Sequence, residues 1–308
     1  MTLFDDNPSN SPEQDSQPPA AAEPSAEPSV SPLGGDPISY AASVPAGSYT
    51  PRRVLPEDLR ISWSWTHFTI FIFFALSSFF LVQTALILYF APHRSLPPKE
   101  LERYLLNKPQ FLFGTNILWY AMIFLFLYVT LAVLRGLPFW RSLGWRKLTA
   151  SISAGKATPW AYFFSGCGLA IFVVAASSQV HTSDKMPIQE VLKNRSSAML
   201  LMAMAVFVAP LVEETVFRGY LYPLFAKSFG IVPGILLTGV LFGLMHGSQL
   251  GWTWGIVGLL ILVGVIFTFA RAHTGTVLAS FLLHLGYNSM IAVATIVGTH
   301  GFTQIPKP

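Results

Sequence analysis

After residue 60 the chain is dominated by unbroken apolar runs, with neither strand-like alternation nor a one-sided helical stripe. Seven runs are of spanning or near-spanning length: Trp63 to Phe90, Phe111 to Leu134, Trp160 to Val180, Ala198 to about Phe225, Ile231 to His246, Trp252 to Ala270 and Thr276 to Val297. A helix needs about 20 apolar residues to cross a bilayer, so the pattern predicts seven membrane helices. The fifth is short by that measure and is expected to be shielded in part by protein. Between runs, Phe139 to Lys147 reads as an interfacial segment, with Trp140 and its basic neighbours at headgroup level. Met186 to Arg195 reads as a short amphipathic helix beside the membrane.

The first 60 residues follow neither period. Pro, Ser, Ala and acidic residues leave too little apolar surface there to offset chain entropy, which predicts a disordered tail. No basic stretch with a short apolar core opens the chain, so the run from Trp63 is expected to act as an uncleaved signal anchor. The expected fold is therefore all-α and polytopic, with about seven transmembrane helices. It has a tail over 1–60, two helices and the interfacial segment over 61–156, and a membrane-embedded core over 157–300.

Composition sharpens this picture through its charges. Only 11% of residues are charged, and the net charge of +4 is the sum of an acidic tail without Lys or Arg before Arg52 and a basic membrane body. The basic residues other than Arg218 fall beside runs, where lipid headgroups would meet them. The expected partner is thus the lipid bilayer and not nucleic acid. A small excess of Lys and Arg on one side favours a cytoplasmic N-terminus. Cys167 is the single cysteine, which excludes an intramolecular disulfide and a multi-cysteine metal site and leaves a small core residue.

Three charges interrupt a run: Glu213, Glu214 and Arg218. Each ionisable group at membrane depth costs roughly 2.5 to 3.5 kcal/mol on insertion scales and marks a functional site by default. Glu214 and Arg218 are helix neighbours that can pair, while Glu213 points about 100° away. Two further patterns lie downstream, Phe242-x-x-x-His246 and His284-x-x-x-Asn288. Glu213 precedes the turn expected near Lys227 by 14 residues and His246 follows Ile231 by 15, roughly 21 and 22 Å of helix, so adjacent antiparallel helices bring them level. His284 lies nine residues beyond Gly275, roughly 14 Å along its helix.

Other positions support a pocket. Pro210 cannot donate a hydrogen bond, so the carbonyl of Val206 is expected to be free, with a kink or a water there. Gly239, Gly243 and Gly247 recur every fourth residue and would let the fifth helix approach a neighbour near His246. Such a set suits water activation: Glu213 as general base, His246 sharing the water, His284 and Asn288 as donors to an oxyanion. Two His and a carboxylate also match a catalytic zinc site, in which Asn288 is a poor ligand.

Each residue also has a bland reading. Glu214 and Arg218 can be a structural ion pair, and either His can bond a backbone carbonyl. Taken together, the set would incur several independent costs without purpose. His67, His93, His181, His273 and His300 fall at run ends or in tails and read as interfacial.

At Glu213-Glu214-x-x-x-Arg218, Phe242-x-x-x-His246 and His284-x-x-x-Asn288 the chain resembles the CPBP intramembrane proteases, which include type 2 CAAX prenyl endopeptidases and bacteriocin-processing or immunity proteins. The resemblance covers residues 195–300. It implies an all-helical membrane fold and cleavage of a peptide bond close to the membrane, in a membrane-associated peptide or protein. It makes Glu213 the base, His246 its partner in activating water, and His284 with Asn288 the stabiliser of the tetrahedral intermediate, with Glu214 and Arg218 orienting the site. The family is called metalloprotease, yet a glutamate-activated water without obligatory metal is also proposed for it. Zinc on Glu213, His246 and His284 and no metal at all therefore both remain open. Two rival readings stand beside the protease: a proton-coupled transporter using the same groups as a relay, and a non-catalytic scaffold or bacteriocin immunity protein. The bacterial inner membrane is the expected location.

Overall fold

The computed structural model describes residues 56–91, 96–148, 158–180, 191–192 and 194–302. Among them every regular element is helical: α1 (Trp65–Phe90), α2 (Pro98–Leu106), α3 (Pro109–Leu127), α4 (Phe139–Ser142), α5 (Pro159–Ser177), α6 (Arg195–Phe229), α7 (Ile231–Met245), α8 (Trp254–Thr274) and α9 (Val277–Gly298). Six of these, α1, α3 with its extension to Val133, α5, α6, α8 and α9, are long and apolar enough to cross a membrane. The seventh, α7, has 15 residues and stays short, as expected. The anticipated amphipathic helix from Met186 lies mostly outside the described residues, as do His93 and His181.

Local chemistry sets the ends. Pro98, Pro109 and Pro159 open their helices, where a missing N–H costs nothing. Asn194 caps α6 by accepting from the amide of Ser197, and Thr276 caps α9 by accepting from Leu278. Gly275, at φ +70°, ends α8 in the left-handed region that glycine enters without a Cβ clash.

Between lipid-facing helices there is little hydrophobic gain, so close packing and hydrogen bonds must hold the bundle. Gly239 and Gly243 of α7 lie against the backbones of Val265 and Ile261 of α8, where a Cβ would come within 2.7 Å of each amide nitrogen. That is the seam the glycine spacing anticipates. Gly166 of α5 and Gly286 of α9 make a second, tighter crossing, because a Cβ on either would collide with a carbonyl of the other helix, Leu283 O or Phe163 O. Cys167 bonds the Gly286 carbonyl at 3.4 Å in the same seam.

Three expectations change. Residues 57–59, which composition assigns to the tail, form a 3-10 turn packed on the bundle, with Leu59 and Trp63 both buried. The segment after α4 is more than interfacial: Leu143 is fully buried, and Gly144 O accepts from Val277 N at 2.9 Å. His67 is buried and its Nδ1 lies 2.7 Å from the Tyr220 hydroxyl, because α1 packs that face against α6 and not against headgroups.

Candidate functional site

The helix carrying the glutamates is not uniform. Two π-helical turns in α6, Met204–Val208 and Thr215–Leu221, flank the α-helical stretch Ala209–Glu214. Each closes on the residue before a proline: Ala209 N bonds Met204 O, and Tyr222 N bonds Phe217 O. Proline lacks the amide and its ring crowds the carbonyl four residues back, and winding one extra residue into the turn relieves that crowding. In a π-turn the carbonyl that residue 210 would serve is that of Ala205, so with proline there this carbonyl lacks a backbone donor. Asn288 Nδ2 donates to Ala205 O at 2.7 Å.

Glu214 and Arg218 are completely buried and paired at 2.8 Å. Arg218 is saturated from α8 as well, donating from Nη2 to Gly264 O at 2.9 Å and from Nε to Thr268 Oγ1 at 3.2 Å. Its guanidinium lies 4.5 Å from the centre of the Phe242 ring. Glu214 Oε1 also meets His284 Nδ1 at 3.0 Å. A carboxylate paired with arginine accepts, so His284 carries its proton on Nδ1 and turns Nε2 the other way.

That Nε2 faces Glu213 Oε2 at 3.8 Å, and His246 Nε2 faces the same oxygen at 4.0 Å. His246 Nδ1 lies 2.7 Å from Phe242 O, which can only accept, so this ring too carries a proton on Nδ1 and turns Nε2 to the carboxylate. Both separations exceed a direct hydrogen bond and suit a bridging water. Glu213 and His246 keep 18% and 23% side-chain exposure, whereas Glu214 has none. The site is thus a sealed ion pair behind a partly open carboxylate faced by two imidazole nitrogens.

The three motifs do converge, with Glu213, Glu214, Arg218, His246 and His284 in one cluster. Asn288 points elsewhere, to Ala205, and among the described residues makes no polar contact with the other five. The sequence reading missed Thr268, Gly264 and Ala205. Thr268, four residues after Gly264 in an apolar helix, was the only local signal.

The donor types would suit zinc, two imidazole nitrogens and a carboxylate oxygen. Yet among the described residues no group of three His, Cys, Asp or Glu side chains is arranged to hold a metal ion.

Residues 195–290 match the family model described as type II CAAX prenyl endopeptidase Rce1-like. The match spans all of Glu213, Glu214, Arg218, His246, His284 and Asn288 and supports, at the level of the family, a protease embedded in a membrane. No curated protein and no solved structure matches the chain.

Proposed function

We propose that the protein is an intramembrane endopeptidase that hydrolyses a peptide bond in a membrane-associated peptide or protein through water activated by Glu213 and His246. The observation that carries this reading is the Glu213 carboxylate facing the Nε2 atoms of His246 and His284, 4.0 and 3.8 Å away, in a wall otherwise apolar. With His246 neutral, a water between Glu213 and His246 gives one hydrogen to each, which aims its oxygen lone pair at an incoming carbonyl carbon.

As the oxygen attacks, its proton passes to Glu213 and the C–O bond forms. Glu213 then returns the proton to the departing nitrogen as the C–N bond breaks, so the carboxylate is regenerated. His284, held by Glu214 on Nδ1 and facing Glu213 on Nε2, enters the step as the imidazolium in this scheme and donates from Nε2 to the oxyanion, keeping its proton throughout. Arg218 keeps Glu214 ionised and fixed, and so acts through His284 as a positioning residue. The protein sits in this reading in a bacterial inner membrane, its N-terminus cytoplasmic beside Arg52, Arg53 and Arg60.

The test is cleavage of a panel of membrane-anchored fluorogenic peptides by purified protein in detergent, comparing wild type with Glu213→Gln, each with and without phenanthroline. Loss of a general base predicts a fall of about a hundred- to ten-thousandfold in kcat for Glu213→Gln. Its thermal unfolding should stay near wild type, since Glu213 makes no direct bond to either ring. Activity surviving phenanthroline supports the metal-free route, whereas loss there assigns zinc to Glu213, His246 and His284. Wild type that cleaves nothing in the panel favours the transporter or scaffold reading.

A further inference from the structure

We infer that Asn288 is a positioning residue that substitutes for the amide Pro210 lacks, clamping α9 to α6 beside the reacting groups. This rests on the protease reading for its kinetic consequence but not for its geometry. Only two backbone amides are placed to serve the carbonyl of Ala205: that of residue 209 in an α-turn or residue 210 in a π-turn. The Ala209 amide is committed to Met204 O, and residue 210 is proline. Ala205 O is thus left without a backbone donor at membrane depth, where an unsatisfied group costs several kcal/mol on general grounds. Asn288 Nδ2 fills that vacancy at 2.7 Å from a helix 83 residues downstream.

The clamp has a consequence for catalysis because of what lies on either side of it. On α9, His284 is one turn before Asn288. On α6, Glu213 and Glu214 are carried on the α-helical stretch that begins at Ala209, directly after the bonded turn. This hydrogen bond joins α9 to α6 one turn beyond the 3.0 Å bond from His284 to Glu214, and the two together fix the 3.8 Å gap to Glu213. Cleavage falls steeply when reacting groups are misplaced by as little as an ångström.

Replacing Pro210 tests this directly. Pro210→Ala restores an amide: in a helix relaxed to α the Ala209 amide serves Ala205 O, and in a π-turn carried through residue 210 the new amide does. Asn288 should then be dispensable. The experiment is a double-mutant cycle over wild type, Asn288→Leu, Pro210→Ala and the double variant, read by thermal unfolding in detergent and by kcat on the membrane-anchored peptides. Asn288→Leu is expected to lower the unfolding midpoint and to cut kcat by about tenfold to a hundredfold. The double variant should recover both, coming within about threefold of Pro210→Ala alone in kcat.

Recovery of stability without recovery of kcat would overturn the positioning role and make Asn288 a group that touches the substrate. Additive losses in both readouts would overturn the clamp itself. Should wild type cleave none of the peptides, the proposed function fails, and the unfolding cycle alone still decides whether the clamp exists.

Discussion

Two fully buried arginines on neighbouring levels of the bundle are held in different ways. Arg218, at membrane depth, spends its guanidinium on Glu214, on the Gly264 carbonyl and on the Thr268 hydroxyl. Arg271, in the last turn of α8, has one ion pair, with Asp58 Oδ2 at 2.8 Å, while its Nε and Nη2 are buried without a hydrogen-bond partner. In the inner cluster all three guanidinium nitrogens have partners and Glu214 Oε2 is the atom left without a hydrogen bond, whereas the edge cluster hangs on a single carboxylate delivered by the 3-10 turn before α1. A buried charge left without its partner is far more costly than the pair is stabilising. The inner arginine is thus part of a machine whose geometry is fixed by three helices, and the edge arginine is a fastening that ties the start of α1 to the end of α8.

The widest separation between the two clusters should come from Glu214→Ala. It leaves Arg218 without its paired carboxylate and His284 without its anchor, and is expected to cost about 3–5 kcal/mol in unfolding and to abolish cleavage. An unfolding midpoint equal to wild type would show that Arg218 is stabilised by Gly264 and Thr268 alone. Asp58→Ala should cost less, about 2–3 kcal/mol, because Asp58 keeps 15% exposure at the membrane edge and water can reach the space it vacates. Cleavage per folded molecule should be unchanged, and a loss of kcat there would mean that the edge cluster is coupled to the site.

Gly243→Ala gives the smallest change in stability, about 1–3 kcal/mol from overpacking against Ile261. Its effect on kcat should be disproportionate, since α7 pushed off α8 carries His246 away from Glu213. Gly168→Ala, where an added methyl meets nothing within 4 Å, is the control that should alter neither readout. Equal effects of the two substitutions would remove the α7 and α8 seam from the account of the site.

The same contrast explains what could be read before any fold was known. Glu214 and Arg218 are four residues apart, so helix geometry alone joins them, and the glycines of α7 at their regular spacing announced the face on which α8 would lie. Asp58 and Arg271 are separated by 213 residues and no period links them. Composition even set Asp58 in the tail and Arg271 among the headgroup contacts. His67 was misread for the same reason, since a histidine near the end of an apolar run has the same sequence signature whether it faces lipid headgroups or the hydroxyl of Tyr220.

By itself, the sequence determined that the chain is helical and membrane-embedded and that carboxylates, imidazoles and one arginine share its apolar core, because run length and the cost of ionisable groups in lipid are local properties. The tertiary structure alone decided which nitrogen of each histidine faces Glu213, which carbonyl Pro210 sets free, and which donor reaches it. Those outcomes depend on a one-residue change of winding in α6 and on the approach of α8 and α9. Each is the result of packing between segments that lie far apart in the chain.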